Sequence, residues 1–293
     1  MTPELLFEAG LETGEGPLWD ARISCLYCVD STNPALWVFD AGGKVIDRIA
    51  LPQPIGFAAL TDSVDRLVVG LADGLYLLDR TTRRLAHILD PEPGIATNRI
   101  NDGVVDSDGS LVFGTLHDTY TRPDGAMYHL SPTGGLTCFD RGYIVSNGPF
   151  PHPDGRRFLT ANSEIHEVYV FDRQEEGVFT NKRLFCDWQV AWGIPDGIVC
   201  DTQGGVWIGS WGGAALYRFH ADGILDLRID FPVSQVTKAA FGGPDLSDLY
   251  VTTASRGRDR RSEPLAGSLF RVRTPFTGLP AGQAALPLSA SGT

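Results

Sequence analysis

The sequence predicts an all-β chain closed into a six-bladed β-propeller. Three observations carry that expectation. Helical periodicity is nearly absent over 293 residues. Short β-branched and aromatic runs alternate with Gly, Pro, Asp and Asn turns, the pattern of half-buried and fully buried strands. A unit of about 45 residues recurs, which is the spacing of propeller blades.

Each unit holds an entry turn, a strand, an Asp/Gly turn, an apolar central strand, a variable loop and a further strand. In order, the central strands are Leu26-Tyr-Cys-Val-Asp, Leu67-Val-Val-Gly-Leu, Leu111-Val-Phe-Gly-Thr, Arg157-Phe-Leu-Thr-Ala, Val206-Trp-Ile-Gly-Ser and Leu249-Tyr-Val-Thr-Thr. The strands after them are Ala35-Leu-Trp-Val-Phe-Asp, Gly74-Leu-Tyr-Leu-Leu-Asp, Ala126-Met-Tyr-His-Leu, Glu167-Val-Tyr-Val-Phe-Asp, Ala215-Leu-Tyr-Arg-Phe and Ser268-Leu-Phe-Arg-Val. Parallel solenoids usually have shorter repeats and rank behind. The N-terminal Glu4-Leu-Leu-Phe-Glu is expected to pair into the last blade, hiding a sheet edge that would otherwise be open. The propeller is assigned residues 1–275. After Pro275 the chain turns to Gly, Ala, Pro and Leu without period, and 276–293 read as a loose tail.

The composition excludes several partners. A net charge of −12, from 36 acidic and 24 basic residues, argues against a nucleic acid held by phosphate neutralisation. The run from Arg256 to Arg261 is a local exception, read as a solvated loop. No apolar run approaches the roughly 18 residues that cross a bilayer, so no membrane partner is expected. The N-terminus lacks a basic stretch followed by an apolar one, and the cytoplasm is the expected compartment. Five scattered cysteines do not form a disulfide framework. Cys25 and Cys28 are a C-x-x-C on a strand, where residues three apart face opposite ways.

Four segments carry the chemistry: Gly14-Glu15-Gly16-Pro17, Asn98-Arg99-Ile100-Asn101-Asp102-Gly103, Ser146-Asn147-Gly148-Pro149 and Pro195-Asp196-Gly197. Each sets a hard oxygen donor (Glu15, Asn101, Asn147, Asp196) beside a glycine, which lets backbone approach a ligand closely. They fall at the entry of blades one, three, four and five, so the donors are expected to meet near the axis as a hard divalent cation requires. Asp106, Asp108, Asp154, Asp201 and Asp222 sit instead in hairpin turns and lack the spacing of a calcium loop.

At these residues the chain resembles the regucalcin/gluconolactonase family of sugar-lactone hydrolases. The matching stretches are Gly14-Glu-Gly-Pro-Leu-Trp, Asn98-Arg-Ile-Asn-Asp-Gly, Gly109-Ser-Leu-Val-Phe-Gly-Thr, Ser146-Asn-Gly-Pro, Pro195-Asp-Gly, Gly205-Val-Trp-Ile-Gly-Ser-Trp-Gly-Gly and Phe241-Gly-Gly-Pro-Asp-Leu-Ser-Asp-Leu-Tyr-Val-Thr-Thr-Ala. The resemblance implies a six-bladed propeller with one divalent metal ion on Glu15, Asn147 and Asp196, and substrate contacts at Arg99 and Asn101. Animal members carry a Glu where this chain has Thr119; the run Gly114-Thr-Leu-His-Asp-Thr-Tyr looks more like the bacterial sugar lactonases, which touches specificity rather than the metal.

A lactone is an ester that water opens through a tetrahedral oxyanion, and a cation can polarise its carbonyl. Oxygen-only donors favour Ca²⁺, Mg²⁺ or Mn²⁺, with Fe²⁺ and Zn²⁺ left open. Asp196 is assigned a second role as general base. Arg99 and Asn101 would hold hydroxyls, with His117, Asp118 and Tyr120 as the specificity wall. Trp192, Trp207 and Trp211 are read as core, one of them available to stack on a sugar ring. No Gly-x-Ser-x-Gly elbow occurs and the histidines show no partner spacing, so an acyl-enzyme is disfavoured. The expected partner is a small sugar lactone, such as a glucono-, xylono-, arabinono- or galactonolactone, with the oligomeric state open. The rival readings are a metal-dependent esterase or organophosphate hydrolase on the same fold, which calls for a more apolar pocket, and a non-catalytic calcium-binding propeller. The Trp19-Asp20 dipeptide of interaction propellers is not repeated blade by blade.

Overall fold

A computed structural model describes residues 1–174 and 177–286. The N-terminal strand β1 (Glu4–Phe7) precedes the first blade, β2 (Gly14–Asp20), β3 (Cys25–Asp30), β4 (Ala35–Asp40) and β5 (Val45–Ala50). Blade two holds β6 (Ile55–Thr61), β7 (Arg66–Leu71), β8 (Gly74–Asp79) and β9 (Leu85–Leu89). Blade three holds β10 (Asn98–Val105), β11 (Leu111–His117), β12 (Gly125–Leu130) and β13 (Leu136–Tyr143). Blade four holds β14 (Ser146–Pro151), β15 (Arg157–Asn162), β16 (Glu167–Arg173) and β17 (Phe179–Leu184). Blade five holds β18 (Ile194–Cys200), β19 (Val206–Trp211), β20 (Ala215–Phe219) and β21 (Leu225–Asp230). Blade six holds β22 (Val236–Gly242), β23 (Asp248–Thr253) and β24 (Leu269–Arg273), and β25 (Gln283–Ala284) follows. Six sheets result, as the repeat predicts, each antiparallel within its blade.

Burial explains why the repeat was readable. Inner strands are covered on both faces by neighbouring blades: every residue of β3, β6 and β11 is buried, giving continuous apolar runs. The outermost β5 and β17 are largely exposed and carry polar residues. Apolar clusters fill the wedges between successive blades. Tyr27 and Val69 share one between blades one and two, and Trp19 and Tyr250 stack at 5.3 Å between six and one. The ring closes through β1, which pairs with β24 (Glu4 opposite Arg271, Phe7 opposite Leu269) as expected. Asp108, Asp154, Asp201 and Asp222 accept backbone N–H bonds within the hairpin turns. Cys25 and Cys28 are buried free thiols. Among the described residues no helix is long and apolar enough to cross a membrane.

The tail differs from its expectation over 276–286. Phe276 packs edge-on against Trp207 at 5.5 Å, and Gly278 N–H donates to Leu246 O. Strand β25 then adds to β6 in parallel (Gln283 opposite Leu60), and Ala285 N–H donates to Gly109 O. These contacts are made mostly by backbone, which needs no side-chain period, so the aperiodic sequence concealed them. Residues 287–293 lie outside the described residues.

Candidate active site at the channel mouth

The innermost strands β2, β6, β10, β14, β18 and β22 each break register near their entry end. The breaks fall between Glu15 and Leu18, Ile55 and Phe57, Ile100 and Gly103, Asn147 and Phe150, Pro195 and Ile198, and Val236 and Ala239. A β-bulge re-aims a side chain relative to the regular pleat. Each of the four sequence-selected donors therefore sits in or beside a bulge. Gly16 (φ +53°) and Gly148 (φ +58°) take the left-handed backbone that follows Glu15 and Asn147, a conformation costly for any residue with a Cβ.

These bulges open into one cavity of about 550 Å³, whose wall includes Glu15, Arg99, Asn101, Asp118, Tyr120, Asn147 and Asp196. Asp196 is buried, and its Oδ1 has no hydrogen-bond partner among the described residues. Burial, then the Glu15 and Asp102 charges, push its carboxyl well above the ordinary range, against the pull of Lys238. Burial, reinforced by Asp102, pushes Glu15 up to about 8, although Lys238, the Gly16 N–H and a hydrogen bond with Asp196 pull it down. Two carboxyls thus face one another in a buried pocket short of donors. Asn147 Nδ2 donates to Ser163 Oγ at 3.0 Å, and its Oδ1 accepts from Asn101 Nδ2 at 2.7 Å.

The substrate side is a chain of polar contacts. Asn101 Oδ1 accepts from Arg99 Nη1 at 3.2 Å, and Arg99 Nη2 donates to Tyr120 Oη at 2.8 Å. Arg99 Nε pairs with Asp118 Oδ1 at 3.2 Å. Tyr120 also accepts from Arg256 Nη1 at 3.2 Å, and both guanidiniums lie over its ring, at 5.6 and 5.1 Å from the centroid. Burial opposes ionisation of this phenol, but the Arg99 charge and the two arginine hydrogen bonds outweigh it and hold its pKa below the usual value.

Two expectations are corrected here. His117 does not line the cavity: its Nδ1 lies 2.8 Å from Thr119 Oγ1 and accepts from Thr119 N–H. The chain turns directly after His117, whose C=O accepts from Tyr120 N–H at 2.8 Å; with Tyr120 in left-handed backbone (φ +56°), this turn carries Asp118 and Tyr120 to the cavity while the imidazole stays bonded to Thr119. Arg256 is not merely part of a solvated run; it reaches the cavity rim. Of the tryptophans, Trp207 is core, Trp192 stacks on Tyr217, and only Trp211 lines the cavity. Sequence reasoning also passed over Asp102 and Lys238, a buried pair below the donors. Asp102 was hidden in an Asn-Asp-Gly sequence that reads as a turn but is a bulge of β10, and Lys238 occupies the sixth bulge without an adjacent glycine to mark it.

No group of three His, Cys, Asp or Glu side chains is arranged for a metal among the described residues. The donor set here is two carboxylates and an amide, and it fits a hard cation on its own chemistry. Among the described residues neither the unpartnered Asp196 oxygen nor the raised Glu15 carboxyl has a direct cationic partner, and the pull of Lys238 does not offset their burial.

The family described as SMP-30/Gluconolactonase/LRE-like region matches residues 13–255. The chain belongs to this family. The resemblance read from the motifs is borne out. An L-arabinolactonase of Azospirillum brasilense is 32% identical over 282 residues, covering 94% of this chain and 93% of the relative. The pentonolactonase XacC of Haloferax volcanii is 31% identical over 298 residues, covering 96% and 97%. A calcium-binding protein, regucalcin, from Agrobacterium tumefaciens superposes with a TM-score of 0.90 at 27% identity, covering 96% of both chains.

Proposed function

We propose that this SMP-30/gluconolactonase-like protein is a metal-dependent hydrolase that opens a sugar lactone to its aldonic acid. The observation that carries this reading is the apposition, in one cavity, of two donor-starved carboxyls (Glu15, Asp196) with the Arg99–Asn101–Tyr120 wall. Glu15, Asn147 and Asp196 are the residues that would hold the cation. The chemistry a bound divalent cation supplies is Lewis-acid polarisation of a carbonyl oxygen.

The chain's own residues do the rest. Asp196, with one oxygen free of hydrogen bonds, accepts the proton of the attacking water as its oxygen bonds to the carbonyl carbon. The same proton passes to the ring oxygen as the acyl C–O bond breaks, so acid and base demands are met by one carboxyl. Arg99 and Asn101 orient the hydroxyls, since forked and amide donors fix a polyol edge. Asp118, Tyr120 and Arg256 bound the far end, and Trp211 offers an apolar face. A pocket ringed by so many hydrogen-bonding groups favours a polyol over an apolar ester. The names of the two similar lactonases make the pentonolactones the first substrates to test.

The test is proton release from glucono-, galactono-, xylono- and arabinonolactones, using metal-stripped protein with single divalent ions returned and spontaneous opening subtracted. Cation-restored turnover that disappears in Asp196→Asn is the expected result. Binding of a cation without turnover on any sugar lactone would refute the catalytic reading and leave a binding protein.

A further inference from the structure

In a ring of six, blades three and six face one another across the channel, and their bulges supply a buried ion pair. Lys238 Nζ donates to both carboxylate oxygens of Asp102, at 2.6 and 2.7 Å. The lysine stem lies against Gly197, where any Cβ would collide with it, and so passes beside the residue that follows Asp196. Asp102 also accepts from Gly103 N–H at 2.8 Å and from Gly148 N–H at 2.9 Å. Gly148 follows Asn147 directly, so the carboxylate grips the bulge that aims the amide. Below the pair is a second chamber of about 180 Å³, lined by Lys238 and apolar side chains including Trp19, Phe57 and Phe241. Neither Asp102 nor Lys238 lines the front cavity.

We propose that the Asp102–Lys238 pair is the floor of the cation site: Asp102 positions Asn147 through Gly148, and Lys238 cancels the Asp102 charge so that the cation meets two net negative charges rather than three. The proposal rests on Glu15, Asn147 and Asp196 being the cation's ligands. A neutral apolar floor would leave the Gly148 N–H without its acceptor, and a lone carboxylate there would be a buried, uncompensated charge. The pair meets both needs.

The roles separate by substitution. Asp102→Asn retains an oxygen for Gly148 N–H but leaves Lys238 positive; Lys238→Met leaves Asp102 negative; the double variant is neutral again. Calorimetric titration of the metal-stripped full chain with Ca²⁺, Mg²⁺ and Mn²⁺ reads cation affinity without turnover. Asp102→Asn is expected to weaken binding about tenfold and Lys238→Met to tighten it about tenfold. The double variant should return to within about threefold of the unsubstituted protein. Equal-signed losses in the two single variants, or no change in either, would overturn the charge role. The double variant has no lone buried charge to hinder folding, and an affinity more than about tenfold from the parent overturns the neutrality argument by itself. A parent protein that binds none of the three cations would overturn the ligand assignment, and the floor's role with it.

Discussion

Replacing Glu15 by glutamine in metal-free protein should stabilise the fold at pH 8, the reverse of what loss of a native carboxylate usually does. The Glu15 carboxyl is pushed from its ordinary 4.5 up to about 8, mainly by burial. A folded-state pKa raised above the unfolded value means that the folded chain holds a proton the unfolded chain has already released. The stability this proton contributes is complete below pH 4.5 and is lost as pH rises to about 8. At about 1.4 kcal/mol per factor of ten in proton affinity, the loss is on the order of 5 kcal/mol. That is a large share of the roughly 5–15 kcal/mol stability of a domain. The amide has no such loss, so the two proteins should be alike at pH 5 and diverge towards pH 8. Urea denaturation of chelator-treated parent and Glu15→Gln across that range gives the comparison; remote titrating groups cancel in the difference, and Asp196, relieved of the Glu15 charge in the variant, adds to it in the same direction. Adding Ca²⁺ should then raise the parent's midpoint most at alkaline pH and leave the variant unmoved, because ligand binding to the folded state stabilises it by mass action. A metal-free Glu15→Gln no more stable than the parent at pH 8 would refute the account of the buried pair.

Three further outcomes follow from other contacts. Tyr120→Phe removes the hydroxyl that accepts from Arg99 and Arg256; initial-rate kinetics should show KM raised about tenfold with kcat little changed, the cost of a hydrogen bond to a charged group. Gly148→Ala forces a Cβ onto φ +58° against the Ile198 side chain, which should cost about 1–3 kcal/mol in urea titrations and weaken cation binding as Asn147 moves. Truncation after Pro275 strips Phe276 from Trp207 and β25 from β6; calorimetry should show Tm lowered by about 5–10 °C.

The architecture was legible because each blade repeats one burial problem. Its inner strands are covered on both faces, so their apolar runs recur at blade spacing. Glu15, Asn101, Asn147 and Asp196 were legible for a related reason, since the bulges that aim them, or their close neighbours, use glycine. The signal failed where the same backbone position was filled differently. Thr237 and Lys238 form the sixth bulge without a glycine, and Gly56 marks the second bulge without a donor. His117 was assigned by nearness in sequence to Asp118, although the chain turns directly after His117 and brings Asp118 and Tyr120, not the imidazole, to the cavity. Arg256 was hidden among arginines because a charge run does not reveal which member meets a pocket. The tail was missed because its anchors are main-chain groups.

A six-fold backbone device with six different occupants yields a site that is polar on one side and dry beneath. Blades one, four and five supply the proposed cation ligands, blade three the Arg99–Asn101 edge, and blades three and six the ion-paired floor. Beneath that floor lie Trp19, Phe57 and Phe241, apolar groups that offer the carboxyls no solvation. Surroundings of this kind strengthen every charge interaction above them. They also explain why Glu15 and Asp196 hold protons so tightly when no cation competes. The property that makes metal-stripped protein costly to hold folded at alkaline pH is therefore the one that would make a bound cation effective on a carbonyl. The fold can bear that cost because apolar clusters fill the wedges between its blades and β1 closes the ring.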